Sequence, residues 1–227
     1  MHKSETVISH PRWVLGVVWL GFPLLGAGAV WLLKAIAGWV AGLQWAPFQG
    51  PFKLVASIGE PQASIGALAV GAVAGLVVAG LTVNDFLRVQ VSPAEVRFKR
   101  GGKPERRFTR EAVVGSFHDA EHLVLLGAGG AELAREKHDL EQADLGKAFE
   151  AHGWPWLSAD PHAQQFRRFV DDDPDLPPAA NAMLKARAVA VSKNDSHDLA
   201  ELREELAKLG VVVRDEKKRQ YWRLVKG

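Results

Sequence analysis

The chain has 227 residues, a formal net charge of +2, 24% charged residues and a mean hydropathy of −0.03. It contains no cysteine, which excludes disulfide frameworks, thiolate zinc sites and cysteine nucleophiles. The averages hide an uneven distribution, because apolar residues are concentrated near the N-terminus and ionisable residues in the remainder. We therefore expect a membrane-embedded part followed by a soluble part.

Two uncharged apolar stretches predict two transmembrane helices. Trp13–Leu33 has 21 residues and Ile65–Val83 has 19, without a charged residue in either. About 20 apolar residues in a helix span the ~30 Å hydrocarbon core of a bilayer. The first stretch is too long for the h-region of a signal peptide, and a second span follows it. We expect a leader and a transmembrane α-hairpin within residues 1–90, with helices at about 13–40 and 64–84.

The basic residues around these stretches predict the orientation. The connector Gln44–Gln62 carries only Lys53, balanced by Glu60, whereas residues 84–110 contain eight Lys or Arg. Because cytoplasmic flanks carry the excess of Lys and Arg, we expect a multi-pass protein of the cell membrane with both termini in the cytoplasm and an external connector. The spans have no central ionisable residue, which argues against a transport path.

A stripe of small residues lies along the second apolar stretch. Ala67, Gly71, Gly75 and Ala79 recur every four residues, a pattern that allows close approach of another helix. That helix is either the first one of the same chain or a helix of a second copy, which would make a homo-oligomer.

Residues 86–157 read as short strands closed by one amphipathic helix. The expected strands are Phe86–Val91, Val96–Lys99, Arg107–Thr109, Ala112–Phe117, Leu123–Leu126 and Glu132–Arg135. The helix is expected to begin at an N-cap, Asp139, with Gln142 completing a capping box, and to end at Gly153.

This pattern is similar to a bacterial pleckstrin-homology-like (PH-like) domain. The run ELAREKHDLEQADLGKAFEAHGWPW, which ends at Trp156, and the preceding apolar hairpin resemble the YqeB-type membrane proteins of bacteria. The resemblance covers about residues 10–157. It implies a membrane hairpin that leads into a PH-like β-barrel or sandwich with a C-terminal helix, and it carries no biochemical activity.

Basic residues cluster within eleven residues, on the second and third of these strands and in the turn between them. They are Arg97, Lys99, Arg100, Lys103, Arg106 and Arg107. One interpretation makes them contacts to an acidic lipid surface, where each is worth about 1 kcal/mol. The other makes them topology-determining flanks and solvated strand faces.

No constellation of catalytic or metal-binding residues stands out. His118 and His122 have a spacing that would suit a metal site on a helix, but the surrounding β pattern predicts a polar hairpin turn, and zinc needs three or four converging ligands. Phosphate-binding loops, dinucleotide fingerprints and nucleophile elbows are absent from the sequence. We therefore expect no enzymatic activity, catalytic residue, metal or cofactor.

The last third begins with an acidic, proline-rich linker at residues 158–178, which contains Asp171-Asp172-Asp173-Pro174-Asp175. Two helices, Ala179–Val191 and Asp198–Leu209, follow, and then a strand, Val211–Val213, which can form a hairpin with Tyr221–Arg223. The expected fold class is thus a multi-domain α+β membrane protein that ends in a small helix-pair plus β-hairpin domain.

Residues 179–227 resemble the C-terminal domain of bacterial cysteinyl-tRNA synthetases. The similarity lies in Ala200–Leu206, in Leu209–Asp215 and in the closing Trp222-Arg223. The resemblance implies a relation to recognition of the anticodon end of tRNA. The sequence departs from the pattern around Lys218-Arg219, where a glycine is usual. The synthetase core is absent, so aminoacylation is excluded.

Two functions of different class follow. The first is a non-enzymatic membrane-anchored adaptor that presents both soluble modules to an unidentified protein partner or to membrane lipid. The second is a membrane-tethered tRNA- or RNA-binding protein, because basic and aromatic residues lie together in the tail. Its candidate contacts are Arg214, Lys217, Lys218, Arg219, Tyr221, Trp222 and Arg223. The alternative interpretation of Trp222 is a core residue.

Overall fold

A computed structural model describes residues 5–42, 59 and 61–225. The helices are α1 (Arg12–Gly42), α2 (Gln62–Asn84), α3 (Gln142–Ala151), α4 (Pro178–Lys193) and α5 (Ser196–Lys208). The strands are β1 (Thr6–Ile8), β2 (Leu87–Val91), β3 (Glu95–Arg100), β4 (Arg106–Thr109), β5 (Gly115–Asp119), β6 (His122–Leu126), β7 (Glu132–Lys137), β8 (Arg167–Arg168), β9 (Val211–Glu216) and β10 (Arg219–Leu224). Most of the expected connector lies outside the described residues.

Two compact units make up the chain. One comprises Met1–Ile8, Gln90–Arg97 and Arg106–Gly227, and the other comprises Ser9–Val89 and Phe98–Glu105. The mixed α+β class expected from the sequence is confirmed.

The second unit is dominated by the hairpin of α1 and α2, which pack through glycines. A β-carbon on Gly71 would collide with the carbonyl of Gly26, and one on Gly75 with the carbonyl of Phe22. Gly71, Gly75 and Ala79 are buried, and Ala67 is half-buried. The small-residue stripe therefore faces α1 of the same chain, where backbone contact requires glycine.

The PH-like region contains two sheets. One has the strand order β1-β2-β3-β4, and the other has the order β5-β6-β7 with antiparallel pairing throughout. These sheets are not joined into a closed barrel within residues 5–42, 59 and 61–225. The strand β1 lies in the leader, for which the sequence predicted no strand.

Helix α3 closes the PH-like region with an apolar face. Leu145 and Phe149 are fully buried, and the Phe149 ring centroid lies 5.3 Å from that of Trp156. The expected N-cap at Asp139 is wrong, because the helix begins at Gln142 after Glu141 and without a side-chain cap. The preceding turn is instead closed by the Leu140 N–H, which donates to Nδ1 of His138.

The C-terminal module packs α4 and α5 on a three-stranded sheet of order β8-β10-β9. Its core consists of Leu176, Ala180, Leu184, Leu206, Val211, Val213 and Trp222. Asp195 caps α5, since its carboxylate accepts hydrogen bonds from the N–H groups of His197 and Asp198. The segment expected as a linker contributes β8, where Arg168 pairs with Tyr221, and it also contributes the core residue Leu176.

Candidate functional site

The surface of the α1–α2 hairpin is apolar along its described length. Trp13, Leu24, Leu25 and Trp39 on α1 are each at least 70% exposed. On α2, Ile65, Val70 and Leu81 are exposed as well. Because these side chains are exposed, they lie outside the helix–helix contact. Both helices are long and apolar enough to cross a membrane.

Arg97, Arg100 and Arg106, which were predicted as lipid contacts, form ion pairs with acidic side chains. Arg97 forms ion pairs with Glu5 at 2.7 Å and with Glu95 at 3.1 Å. Arg100 pairs with Asp85 at 3.4 Å. Arg106 pairs with Glu136 at 2.9 Å and also donates to the carbonyl of Leu133. These three arginines therefore contribute to the connections of the fold as well as to its positive surface.

The other three basic residues, Lys99, Lys103 and Arg107, are exposed. Lys99 lines a groove of about 320 Å³ together with Arg88, which the sequence pattern indicated only as part of the basic flank. The remaining lining is the last turn of α2 (Gly80, Val83 and Asn84), Phe86 and Gly101. The signal for Arg88 was its place in the alternating run Phe86–Val91, where it lies between the buried Leu87 and Val89.

The histidines His118 and His122 lie in the β5–β6 hairpin, as predicted, with Ala120-Glu121 at the turn. The His118 ring centroid is 5.1 Å from that of His138. Burial, and secondarily the charge of His118, lower the pKa of His138 to about 4. Among the described residues, a cluster of three potential metal ligands occurs only at His197, Asp198 and Glu201, and all three are exposed.

Two of the predicted RNA contacts lie in the interior. Trp222 is 1% exposed and belongs to the core of the C-terminal module. Arg223 is 2% exposed, and its Nη2 donates to the carbonyl of Gly130 at 2.6 Å. Arg214 is half-buried and pairs with Glu216 at 3.1 Å and with Asp119 at 3.5 Å.

The exposed part of the predicted RNA surface is the tip of the β9–β10 hairpin. Lys217 and Lys218 form the turn with φ angles of +46° and +63°, and Arg219 follows them. Lys218 and Arg219 line a groove of about 170 Å³. Arg168, Phe169, Ala188, Val191 and Gln220 complete its lining. Tyr221 is half-buried.

A buried network of charges lies beneath this hairpin, and sequence reasoning did not find it. Arg187, 1% exposed, holds the Asp215 carboxylate through both terminal nitrogens, with Nη2–Oδ2 at 2.7 Å. Arg203 donates to the carbonyl of Val213 at 2.7 Å. Burial, and then the charge of Arg187, lower the pKa of Arg203 to about 10, so it stays protonated at neutral pH.

This network continues into the PH-like region. Arg135 on β7 forms ion pairs with Glu132 and Asp119 at 3.0 and 2.9 Å. Glu132 also lies 3.7 Å from Arg203. The ion pair of Arg203 with Glu132 and the hydrogen bond of Arg223 to Gly130 join the C-terminal module to the β5–β7 sheet.

Comparison with known proteins agrees with this architecture. Residues 6–157 match the YqeB-like bacterial PH domain, and residues 173–223 match the cysteinyl-tRNA ligase anticodon binding domain. "Uncharacterized protein YqeB" of Bacillus subtilis (strain 168) is 35% identical over 223 residues, which cover 98% of this chain and 92% of that protein. No solved structure matches significantly. The chain therefore belongs to the YqeB-like family, and it combines an apolar helical hairpin and a bacterial PH domain with a module like the anticodon-binding domain of cysteinyl-tRNA ligase.

Proposed function

We propose that the protein is a non-enzymatic adaptor anchored in the cell membrane by α1 and α2, with its soluble part in the cytoplasm. The observation that carries the anchor is the apolar surface of the two helices, where Trp13 and Trp39 are each 70% exposed. Soluble proteins rarely expose contiguous apolar patches of this extent. A bilayer would cover that surface and remove its apolar side chains from water.

The first sheet supports an even number of crossings. Strand β1 precedes α1 and strand β2 follows α2, and the two are neighbours in one sheet. The leader is held further by the ion pair of Glu5 with Arg97 and by the 2.8 Å hydrogen bond between Thr6 and His152. Both ends of the hairpin thus belong on one side of the bilayer, and the basic flank favours the cytoplasmic side.

The connected soluble modules support an adaptor role. The ion pairs Arg203–Glu132 and Arg214–Asp119 have an evident structural task, because they join the C-terminal module to the β5–β7 sheet. Two connected soluble modules on a membrane anchor suit the presentation of a surface to a protein partner. The glycine stripe faces α1, so a second copy would have to use other faces of the hairpin.

Single-cysteine labelling tests the anchor and its orientation, and the natural chain supplies a cysteine-free background. Ser158→Cys in the soluble part is expected to resist a membrane-impermeant maleimide in intact cells, whereas Ser57→Cys in the connector is expected to react. Alkaline carbonate should leave the protein in the membrane pellet. Release by carbonate would contradict the anchor, and the reverse labelling pattern would contradict the orientation alone.

Recovery of partners tests the adaptor role. The full chain, solubilised in mild detergent, is isolated after crosslinking in cells, with and without ribonuclease. An adaptor is expected to retain a protein partner in constant ratio after ribonuclease treatment. Recovery of RNA alone would contradict the adaptor role and favour the second candidate function.

The groove at the hairpin tip favours RNA binding as that second candidate. It brings together Arg168, Lys218 and Arg219 beside the Phe169 ring, and RNA-binding surfaces combine cations with aromatic side chains in this way. Lys218→Ala with Arg219→Ala in the full chain should weaken tRNA binding at least tenfold and lower its salt dependence. Lys147→Ala on α3 is the exposed basic control. Equal binding by all variants would contradict this candidate.

A further inference from the structure

We propose that Arg88 and Lys99 bind the phosphate group of an acidic phospholipid in the groove at the end of α2, an inference that rests on the proposed membrane anchor. The groove has a volume of about 320 Å³, enough for a phosphodiester and several waters. The observation that carries the proposal is the position of these two cations.

Arg88 and Lys99 lie on neighbouring strands and face the same groove. Strands β2 and β3 are adjacent in the first sheet, and the Ser92 N–H donates to the Glu95 carbonyl at 3.0 Å where the hairpin turns. Arg88 lies four residues before Ser92 on β2 and Lys99 lies four residues after Glu95 on β3, so we infer that the two residues occupy opposite positions of the hairpin. Both are exposed, and they are the charged residues of the groove lining.

Like charges directly opposite each other on antiparallel strands are destabilising. The neighbouring arginines avoid this cost, because Arg97 pairs with two glutamates and Arg100 with Asp85. Arg88 and Lys99 have no ion pair or hydrogen bond to another residue in the part of the chain that the structure describes. An anion between them would offset their repulsion, and arginine suits a phosphate because its planar fork donates two parallel hydrogen bonds.

The rest of the groove fits a lipid better than a free anion. Gly80 and Val83 belong to the last turn of α2, and Phe86 follows it, so one wall is apolar and continuous with the helix proposed to lie in the bilayer. Gly101 also lines the groove. A β-carbon there would collide with Asn84, so glycine lets the β3–β4 turn close over the end of the helix. A headgroup phosphate at this level would keep its acyl chains alongside α2.

Lipid titration of the full chain in neutral detergent tests the proposal. Phosphatidylglycerol, phosphatidylcholine and inorganic phosphate are compared as ligands for the wild type, for Arg88→Gln with Lys99→Gln, and for Lys103→Gln with Arg107→Gln. The control pair removes the same charge from the same basic segment. We expect saturable binding of phosphatidylglycerol that falls at least tenfold in the first variant and less than threefold in the control.

Equal losses in both variants would overturn the site in favour of nonspecific attraction to acidic lipid. Saturable binding of inorganic phosphate that phosphatidylglycerol does not compete would overturn the lipid assignment. Carbonate extraction of the same variants separates these outcomes from failure of the anchor, because Arg88 and Lys99 lie outside the apolar stretches.

Thermal unfolding gives a second test. If Lys99 binds a lipid phosphate, its substitution should change the unfolding temperature in opposite directions in neutral and in acidic membranes, which a merely structural role would not produce. Lys99→Gln should raise the unfolding temperature in neutral nanodiscs, because it removes the repulsion. It should lower that temperature in nanodiscs of phosphatidylglycerol, because it removes a contact to the phosphate. A shift of the same sign in both membranes would overturn the proposal.

Discussion

The turn between β9 and β10 places two lysines where their backbone is unfavourable. Lys217 and Lys218 both have positive φ, the combination found in two-residue type I′ turns, which favour Asn-Gly or Gly-Gly. Residues with a β-carbon cost roughly 1 kcal/mol in this region. Such local strain often accompanies function. The tip of this hairpin is therefore the exposed part of the C-terminal module that we expect to contact a macromolecular partner.

A glycine at this turn should stabilise the protein. We expect Lys218→Gly to raise the free energy of unfolding by about 0.5–1 kcal/mol, because it relieves the left-handed backbone. Lys218→Gln, which removes the charge and keeps the β-carbon, should leave stability nearly unchanged. Denaturant unfolding of the full chain in detergent measures both. Equal stabilisation by the two variants would show that charge repulsion, rather than backbone strain, is relieved.

His138 should make the protein less stable in acid. Its pKa is lowered from 6.5 to about 4 by burial, and secondarily by the charge of His118. As pH falls from 6.5 to 4, the unfolded chain binds a proton that the folded protein does not, so the free energy of unfolding falls by roughly 2–3 kcal/mol. His138→Gln should flatten this part of the pH profile. His197→Gln, at an exposed histidine, should not, and identical profiles for the two variants would contradict the assignment.

Gly71 should be intolerant of any larger side chain. Its missing β-carbon allows contact with the backbone of Gly26, whereas Gly66 on the same helix has nothing within 4 Å of such a carbon. Gly71→Val is therefore expected to destabilise the hairpin by about 1–3 kcal/mol through overpacking, and Gly66→Val much less. Thermal stability in detergent measures the difference. Similar losses would show that β-branching, and not the helix contact, is responsible.

At the scale of elements, the ion pair of the buried Arg187 with Asp215 links α4 to β9. Removing one partner leaves an uncompensated charge, which costs about 3–5 kcal/mol. Asp215→Asn is thus expected to lower stability strongly. Asp172→Asn is the matched control, because its ion pair with Lys185 lies at the surface, where a pair is worth about 0–1 kcal/mol. Chemical denaturation of both variants in detergent checks the ranking, and equal effects would contradict it.

The elements that local pattern determines could be predicted from the sequence. The apolar runs predicted α1 and α2, and alternation predicted β2 to β7 to within a few residues. The short strands β1 and β8 were not predicted. Strands of three and two residues show no periodicity, and they form only because they pair with strands far away in the sequence. The N-cap of α3 was misplaced because the capping pattern at Asp139 is local, whereas the helix begins at Gln142 after a turn that holds the hydrogen bond from Leu140 N–H to Nδ1 of His138.

The candidate sites were harder to predict than the elements. Composition marks Arg97, Arg100 and Arg106 as a basic cluster, but their partners Glu5, Asp85 and Glu136 come from separate parts of the chain. In the tail, Arg223 looks like a surface cation because nothing local shows that Gly130 will lie against it. Ion pairs and hydrogen bonds between residues far apart in the sequence decide which basic side chains can bind a ligand. No local pattern in a single sequence reveals these long-range pairs.

At the scale of the whole molecule, the regions matched by the family models correspond to the elements of the structure. The match to the YqeB-like bacterial PH domain spans residues 6–157 and so includes both the hairpin and the strand that precedes it. The C-terminal module is joined to the β5–β7 sheet by charged contacts, and the basic groove at the end of α2 belongs to the other unit. The protein is thereby proposed to meet lipid through one unit and a macromolecular partner through the other.

The leader strand β1 also imposes an order on biosynthesis. Its neighbour β2 begins 79 residues after Ile8, on the far side of both apolar helices. At about 5–20 residues per second, synthesis of the intervening chain takes roughly 4–16 s. During that time the leader has no strand to pair with, and under the proposed membrane anchor the hairpin would be inserted before the leader finds its partner. We therefore expect β1 to pair with β2 late in biosynthesis, only after both helices of the proposed anchor have entered the bilayer.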